Sequence, residues 1–231
     1  MRVVILSGSG NVGKTVVAEH LLSLRLNGAL LISFGGAHVT RNSGQWRHRD
    51  EVSAVFADLL EHERCIVDVA GGATPSLLVG IHRFASIHES IDCFMIPVTS
   101  STKVQIETIA LLERLANSGV EANSIRILFN RVESNVADEF GVLIGHINAH
   151  GGAVAHHQSA LFENELFDIL AEENLTIQQV LDDETDYKTL LREQREADAA
   201  LREDWSNRYA IKCLTKHVKR NLDDCYAALF C

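Results

Sequence analysis

Eight consecutive residues, Gly8-Ser9-Gly10-Asn11-Val12-Gly13-Lys14-Thr15, carry the densest chemistry in the chain. Their spacing matches G-x-x-x-x-G-K-[ST], a phosphate-binding P-loop. Glycines let successive backbone N–H groups turn inward around phosphate oxygens with no side chain in the way. A helix opening at the end of the loop adds its positive dipole end. Lys14 supplies a point charge for β- and γ-phosphates, and Thr15 supplies a hydroxyl for Mg²⁺. Val16 closes the set of candidate nucleotide contacts at 8–16. A second constellation follows at Ile66-Val67-Asp68, an apolar run ending in a carboxylate. Such an aspartate serves the Mg²⁺ shell of a P-loop site, so Lys14 and Asp68 are the candidate catalytic residues, and Thr15 and Asp68 the candidate metal contacts. Three residues on, Gly71 is placed to offer its N–H to a γ-phosphate and to act as a switch.

These residues need strands and helices to hold them. Val3-Val4-Ile5-Leu6 is a continuous apolar run, as expected of a strand buried on both faces. Residues 14–26 repeat apolar side chains at helical spacing (Val17, Leu21, Leu22, Leu24). Further strands are expected at 29–34, 65–69, 91–98, 124–129 and, last and short, 153–156. Helices are expected at 51–62, 104–117 and 140–150, with a polar loop at 37–50. Strands alternating with helices predict an α/β fold: a doubly wound, mostly parallel sheet flanked by helices. Ligands of such sheets bind at the carboxyl ends of the strands, where the P-loop, Asp68, Thr99 and Asn130 all fall.

The bulk numbers agree. The chain has 231 residues, of which 46% are hydrophobic, enough for one large α/β core and too many for a disordered chain. No run of about 18 apolar residues is present, so no spanning helix is expected. The start lacks the pattern of a signal peptide. Five cysteines without a C-x-x-C pair suggest reduced thiols, and together these predict a cytoplasmic protein. A formal net charge of −10 excludes nucleic-acid binding by bulk electrostatics; any such contact needs a local basic patch.

The motifs together resemble the ParA/MinD family of partition and positioning ATPases. The pieces occur in that family's order: the P-loop, Asp68-x-x-Gly71, Ile96-Pro97-Val98-Thr99 before a helix, and Ile127-Leu128-Phe129-Asn130-Arg131. Leu175-Thr176-Ile177-Gln178-Gln179-Val180 is similar to the family's closing helices. The resemblance covers residues 1–181, the expected nucleotide-binding domain. Residues 182–231 are expected as a helical extension packed on the same domain or on a partner. The resemblance implies ATP and Mg²⁺ as ligands and a nucleotide-dependent homodimer read by a DNA-bound adaptor. It makes Asn130 the candidate contact to the adenine base, with Arg131 beside it.

Two departures stand out. The family usually carries a further lysine early in the P-loop, where this chain has Ser9. It also usually carries aspartates after the second strand, where this chain has Ile32-Ser33-Phe34-Gly35-Gly36. Phosphoryl transfer is mostly positioning and charge stabilisation. These losses predict retained binding with weak or partner-dependent hydrolysis, unless Arg41, Arg47, Arg49 or Asp50 substitutes. A small-molecule ligase or kinase on the same fold is the alternative, but no acid–base set beside the γ-phosphate position supports it.

Two other groupings remain. His146 and His150 stand four apart, with His156-His157 behind them, but no Cys, Asp or Glu stands at ligand spacing. Residues 205–222 hold Arg208, Lys212, Lys216, Lys219 and Arg220 and no acid, beside an apolar stripe of Ile211, Leu214, Val218, Leu222, Cys225 and Leu229. An amphipathic packing helix, a nonspecific DNA contact and a membrane-surface helix are all compatible with that pattern.

Overall fold

The protein is described from a computed structural model covering residues 1–36, 44–84 and 86–231. Seven strands form one sheet in which every pairing is parallel. The central strand β1 (Arg2–Ile5) lies between β4 (Cys65–Val69) and β5 (Cys93–Val98). Beyond β4 come β2 (Leu30–Phe34) and the edge strand β3 (Gln45–Arg47). Beyond β5 come β6 (Ile125–Val132) and β7 (Ala160–Phe162). Parallel strands need crossover helices, so both faces of the sheet are covered and the central strands read as unbroken apolar runs. All residues of β4 and β5 are buried. Each fully buried Phe, Leu, Ile or Val side chain contributes about 1.5–3 kcal/mol.

The crossovers are α1 (Lys14–Val16), α2 (Val52–Glu61), α3 (Thr74–Arg83), α4 (Thr102–Asn117), and the pair α5 (Val136–Glu139) and α6 (Gly141–His150). α1 continues through Val17–Leu22 with wider winding; the Ser23 N–H donates to the Ala18 carbonyl, five residues back, at 3.0 Å. α3 has no counterpart among the sequence expectations. Pro75 sits in its first turn, where the missing N–H costs nothing. Gly80 sits in its interior because a Cβ there would lie 2.2 Å from Val52 on α2. α4 is fixed by Gln105, which is buried: its Nε2 donates to the carbonyls of Ser100 and Glu139 at 2.8 and 2.9 Å, and its Oε1 accepts from the Leu143 N–H at 3.1 Å.

Two expectations are corrected. The segment expected as a loop at 37–50 contains β3, whose polar Gln45-Trp46-Arg47 has no apolar face to announce it; residues 37–43 lie outside the described residues. The last strand lies at Ala160–Phe162 rather than 153–156, where Val154 makes one isolated bridge to Arg126.

The chain divides into two compact units, Met1–Glu163 with Asp224–Cys231, and Asn164–Asp223. The second holds α7 (Leu166–Glu172), α8 (Ile177–Asp182), α9 (Tyr187–Glu193) and most of α10 (Ala199–Phe230). Thr176 and Gln179 form a reciprocal capping box that starts α8. No helix of the described residues is long and apolar enough to cross a membrane.

Candidate functional site

The P-loop connects the carboxyl end of β1 to α1. Asn11 (φ 56°) and Gly13 (φ 84°) both take left-handed backbone. At Gly13 nothing larger fits, since a Cβ would stand 2.2 Å from the Asn130 Nδ2. The Val17 N–H then donates to the Gly13 carbonyl at 3.0 Å and starts the helix. Gly10 and Asn11 remain exposed, and a Cβ on Gly10 would meet no protein atom within 4 Å.

Lys14 is folded back along the loop and is only 8% exposed. Its Nζ donates to the Ser7 Oγ at 2.8 Å and reaches the Ser9 carbonyl at 3.4 Å. The Ser7 Oγ also donates to the Ser9 carbonyl, and the buried Thr74 hydroxyl holds the Ser7 carbonyl at 2.9 Å. Burial pushes the Lys14 ammonium below its ordinary value, and the charge of Asp68 opposes that shift.

Asp68 occupies the end of β4, in register with Ile5 of β1 and Ser33 of β2. Its Oδ2 accepts the Thr15 hydroxyl at 2.7 Å. Burial raises the Asp68 carboxyl above the usual range; the Thr15 hydrogen bond and the Lys14 charge work against this. Gly71 comes next. A Cβ on it would lie 3.3 Å from the Ser9 carbonyl oxygen and 3.4 Å from the Gly10 nitrogen. The segment after β4 therefore runs against the first half of the P-loop, and glycine permits that approach.

Asn130 is also brought to the loop. It is 6% exposed, and its Nδ2 donates to the Val12 carbonyl at 2.8 Å. Arg131 is placed differently: at φ 56° its side chain is exposed, with Nε 3.8 Å from Glu163. At Gly35 (φ 71°) a Cβ would be 2.4 Å from the Cβ of Ala73, so no acid can stand there without displacing Ala73. Arg47 is committed to Asp58 through contacts of 2.9 and 3.2 Å, and Asp50 pairs with His48 at 3.1 Å. Arg41 lies outside the described residues.

The sequence reading missed Glu107 on α4. The Ser9 hydroxyl donates to the Glu107 carboxylate, 98 residues away in the chain. A Cβ on Gly8 would lie 2.8 Å from the Glu107 carbonyl oxygen. Lys103 stands one helical turn earlier, 3.8 Å from the same carboxylate. On paper Glu107 is one of several charges on a solvated helix face.

The basic residues of α10 are mostly engaged within the second unit. Arg208 pairs with Asp204 at 3.0 Å and Lys219 with Asp223. Lys212 donates to the Thr185 carbonyl at 2.9 Å and lies over the Tyr187 ring. Lys216 and Arg220 are exposed. The buried stripe of the helix runs Ile211, Thr215, Val218, Leu222, Cys225, Leu229; Leu214, expected in it, is half-buried, and Thr215 takes its place.

No family model matches the chain, and no curated protein matches it. Solved structures do. A Cyanothece McdA variant in complex with ATP superposes with a TM-score of 0.52 at 16% identity, over 78% of this chain and 90% of that one. The septum site-determining protein MinD of Pyrococcus horikoshii OT3, complexed with Mg-ADP, gives 0.52 at 14% identity, over 79% and 90%. The cell division ATPase MinD of Pyrococcus furiosus gives 0.50 at 12% identity, over 95% and 98%. The fold is therefore that of the MinD/McdA-type P-loop NTPases.

Proposed function

We propose that this chain is a Mg²⁺-ATP-binding switch of the ParA/MinD type with weak or partner-dependent hydrolysis. One observation carries the reading: Lys14, Thr15 and Asp68 meet at the carboxyl ends of β1 and β4, beside an open glycine loop. The residues fit the ligands. The Thr15 hydroxyl and the Asp68 carboxylate, 2.7 Å apart, are oxygen donors of the kind Mg²⁺ takes, and they would hold it. Mg²⁺ bound there would neutralise charge developing on the phosphates. The loop N–H groups at 8–16 and the Lys14 ammonium would hold the phosphates. Gly71 would sense the terminal one. Asn130 would keep its carboxamide oxygen for the base while its Nδ2 holds Val12.

Ser9 and Gly35 support slow hydrolysis by the chain alone, because neither supplies the charge or the carboxylate that positions an attacking water. The length and charged tail resemble those of the plasmid stability protein StbB. The cellular role we favour is accordingly plasmid stability, partition or positioning, or conjugative DNA transfer. A nucleotide-dependent homodimer and a DNA-bound adaptor are the partners this reading calls for. Of the five basic residues at 205–222, Lys216 and Arg220 are the ones left for nonspecific DNA contact.

The test is calorimetric titration of ATP and ADP with Mg²⁺, followed by phosphate release, for wild type and Lys14→Ala. The expected result is binding that disappears in Lys14→Ala, with little turnover by wild type alone. Absence of ATP binding, or rapid turnover without a partner, would overturn the reading.

A further inference from the structure

We infer that Glu107 is a specificity-determining residue that sets the balance between nucleoside triphosphate and diphosphate at the P-loop. This rests on the nucleotide-binding reading above. Lys14 marks which end of the loop serves the outer phosphates, because a P-loop lysine reaches the β- and γ-positions. Its ammonium lies at Ser7 and Ser9. Gly71 approaches the same end, at the Ser9 carbonyl and the Gly10 nitrogen. The carboxylate of Glu107 is bound to the Ser9 side chain at that point, and the α4 backbone at Glu107 touches Gly8. The buried Gln105 holds the α4 backbone in place beside the loop through bonds with the Ser100 and Glu139 carbonyls and the Leu143 N–H.

A fixed negative charge at the outer-phosphate end acts most strongly on the ligand that carries most charge there. A triphosphate is therefore disfavoured relative to a diphosphate. Lys103, 3.8 Å away and itself 82% exposed, offsets part of the field but is open to solvent. The effect is that of a half-exposed charge pair, about two- to fivefold in affinity. Glu107 thereby makes the triphosphate state harder to enter and easier to leave, and any agent that withdraws α4 from the loop favours triphosphate.

The experiment measures dissociation constants for Mg-ADP and for a non-hydrolysable Mg-ATP analogue, at low and high salt, on wild type, E107Q and E107K. Melting curves accompany the titrations to confirm that each variant is folded. The expected result is a diphosphate-to-triphosphate preference that shifts about two- to fivefold toward triphosphate in E107Q, shifts further in E107K, and shrinks at high salt. A merely structural role would change both affinities together and leave their ratio alone. Wild type that binds both nucleotides, with an unchanged ratio in E107Q and E107K, overturns this inference and leaves the nucleotide reading standing. Wild type that binds neither overturns both.

Discussion

The hydroxyl of Thr15 donates to the carboxylate of Asp68 across 2.7 Å, joining the last residue of the P-loop to the end of β4. Asp68 is in register with Ile5, the last residue of β1, so the pair closes the gap between two neighbouring parallel strands. The burial that makes the contact possible also makes the charge costly.

Asp68 therefore shapes the pH dependence of the nucleotide-free protein. Its carboxyl lies above the ordinary 3.8 in the folded state, so the native chain holds this proton more tightly than the unfolded chain does. Stability falls as pH rises from about that ordinary value through the raised one, and the penalty is absent below both. Asp68→Asn should remove this slope and be more stable than wild type at neutral pH, while losing Mg²⁺-dependent nucleotide binding. Denaturant midpoints from pH 3 to pH 8 check it, on the order of one measurement per half unit; parallel curves for the two proteins would contradict the assignment.

Gly10 and Gly13 separate folding from ligand binding. Gly13→Ala puts a Cβ 2.2 Å from the Asn130 Nδ2 at a φ of 84°, and should cost about 2 kcal/mol or more. Gly10→Ala meets no protein atom within 4 Å and should change stability by less than about 0.5 kcal/mol. On the proposed function it should nevertheless weaken nucleotide binding, because the loop backbone would approach the phosphates. Chemical denaturation of both variants, with nucleotide titration of Gly10→Ala, reads the two effects independently.

Asn130→Ala should cost about 1–2 kcal/mol by leaving the Val12 carbonyl without its donor. If the carboxamide oxygen also reads the base, the variant should lose its preference for ATP over GTP. A stability loss with the preference intact would assign Asn130 to holding the loop alone.

Gln105→Leu removes the partner of the buried Leu143 N–H and of the Ser100 and Glu139 carbonyls, whose bonds are partly buried. A loss of about 2–4 kcal/mol is expected, larger than for most single changes on α4. Thermal melting compared with Ile106→Ala, an exposed neighbour, gives the contrast.

The central sheet and the glycine loop at 8–15 were legible because their signals are local. Strands buried on both faces read as unbroken apolar runs, which is how β1, β4 and β5 stood out. Glycine, lysine and threonine at fixed offsets announce the loop without any knowledge of the fold. α3 was not legible, because Pro75 and Gly80 both weaken a helical pattern, and only the close pass of Val52 explains the glycine. β3 carries no apolar face, and β7 is three residues long. The wide winding at Val17–Leu22 leaves apolar spacing that an ordinary helix would also satisfy. Glu107 and Gln105 were invisible for a different reason. Their partners lie far along the chain or in another helix, and nothing in their local sequence distinguishes them from solvated polar residues.

The first unit does not end where its sheet ends. Residues Asp224–Cys231 belong to it, with Cys225 and Leu229 buried, Tyr226 under the Arg25 guanidinium and Phe230 under that of Arg126. During synthesis, residues 1–163 must therefore wait for 164–223 to be made before their last segment can arrive. At about 5–20 residues per second that interval is on the order of 3–12 s. Throughout it the first unit lacks the helix end whose Cys225 and Leu229 are buried in the finished chain.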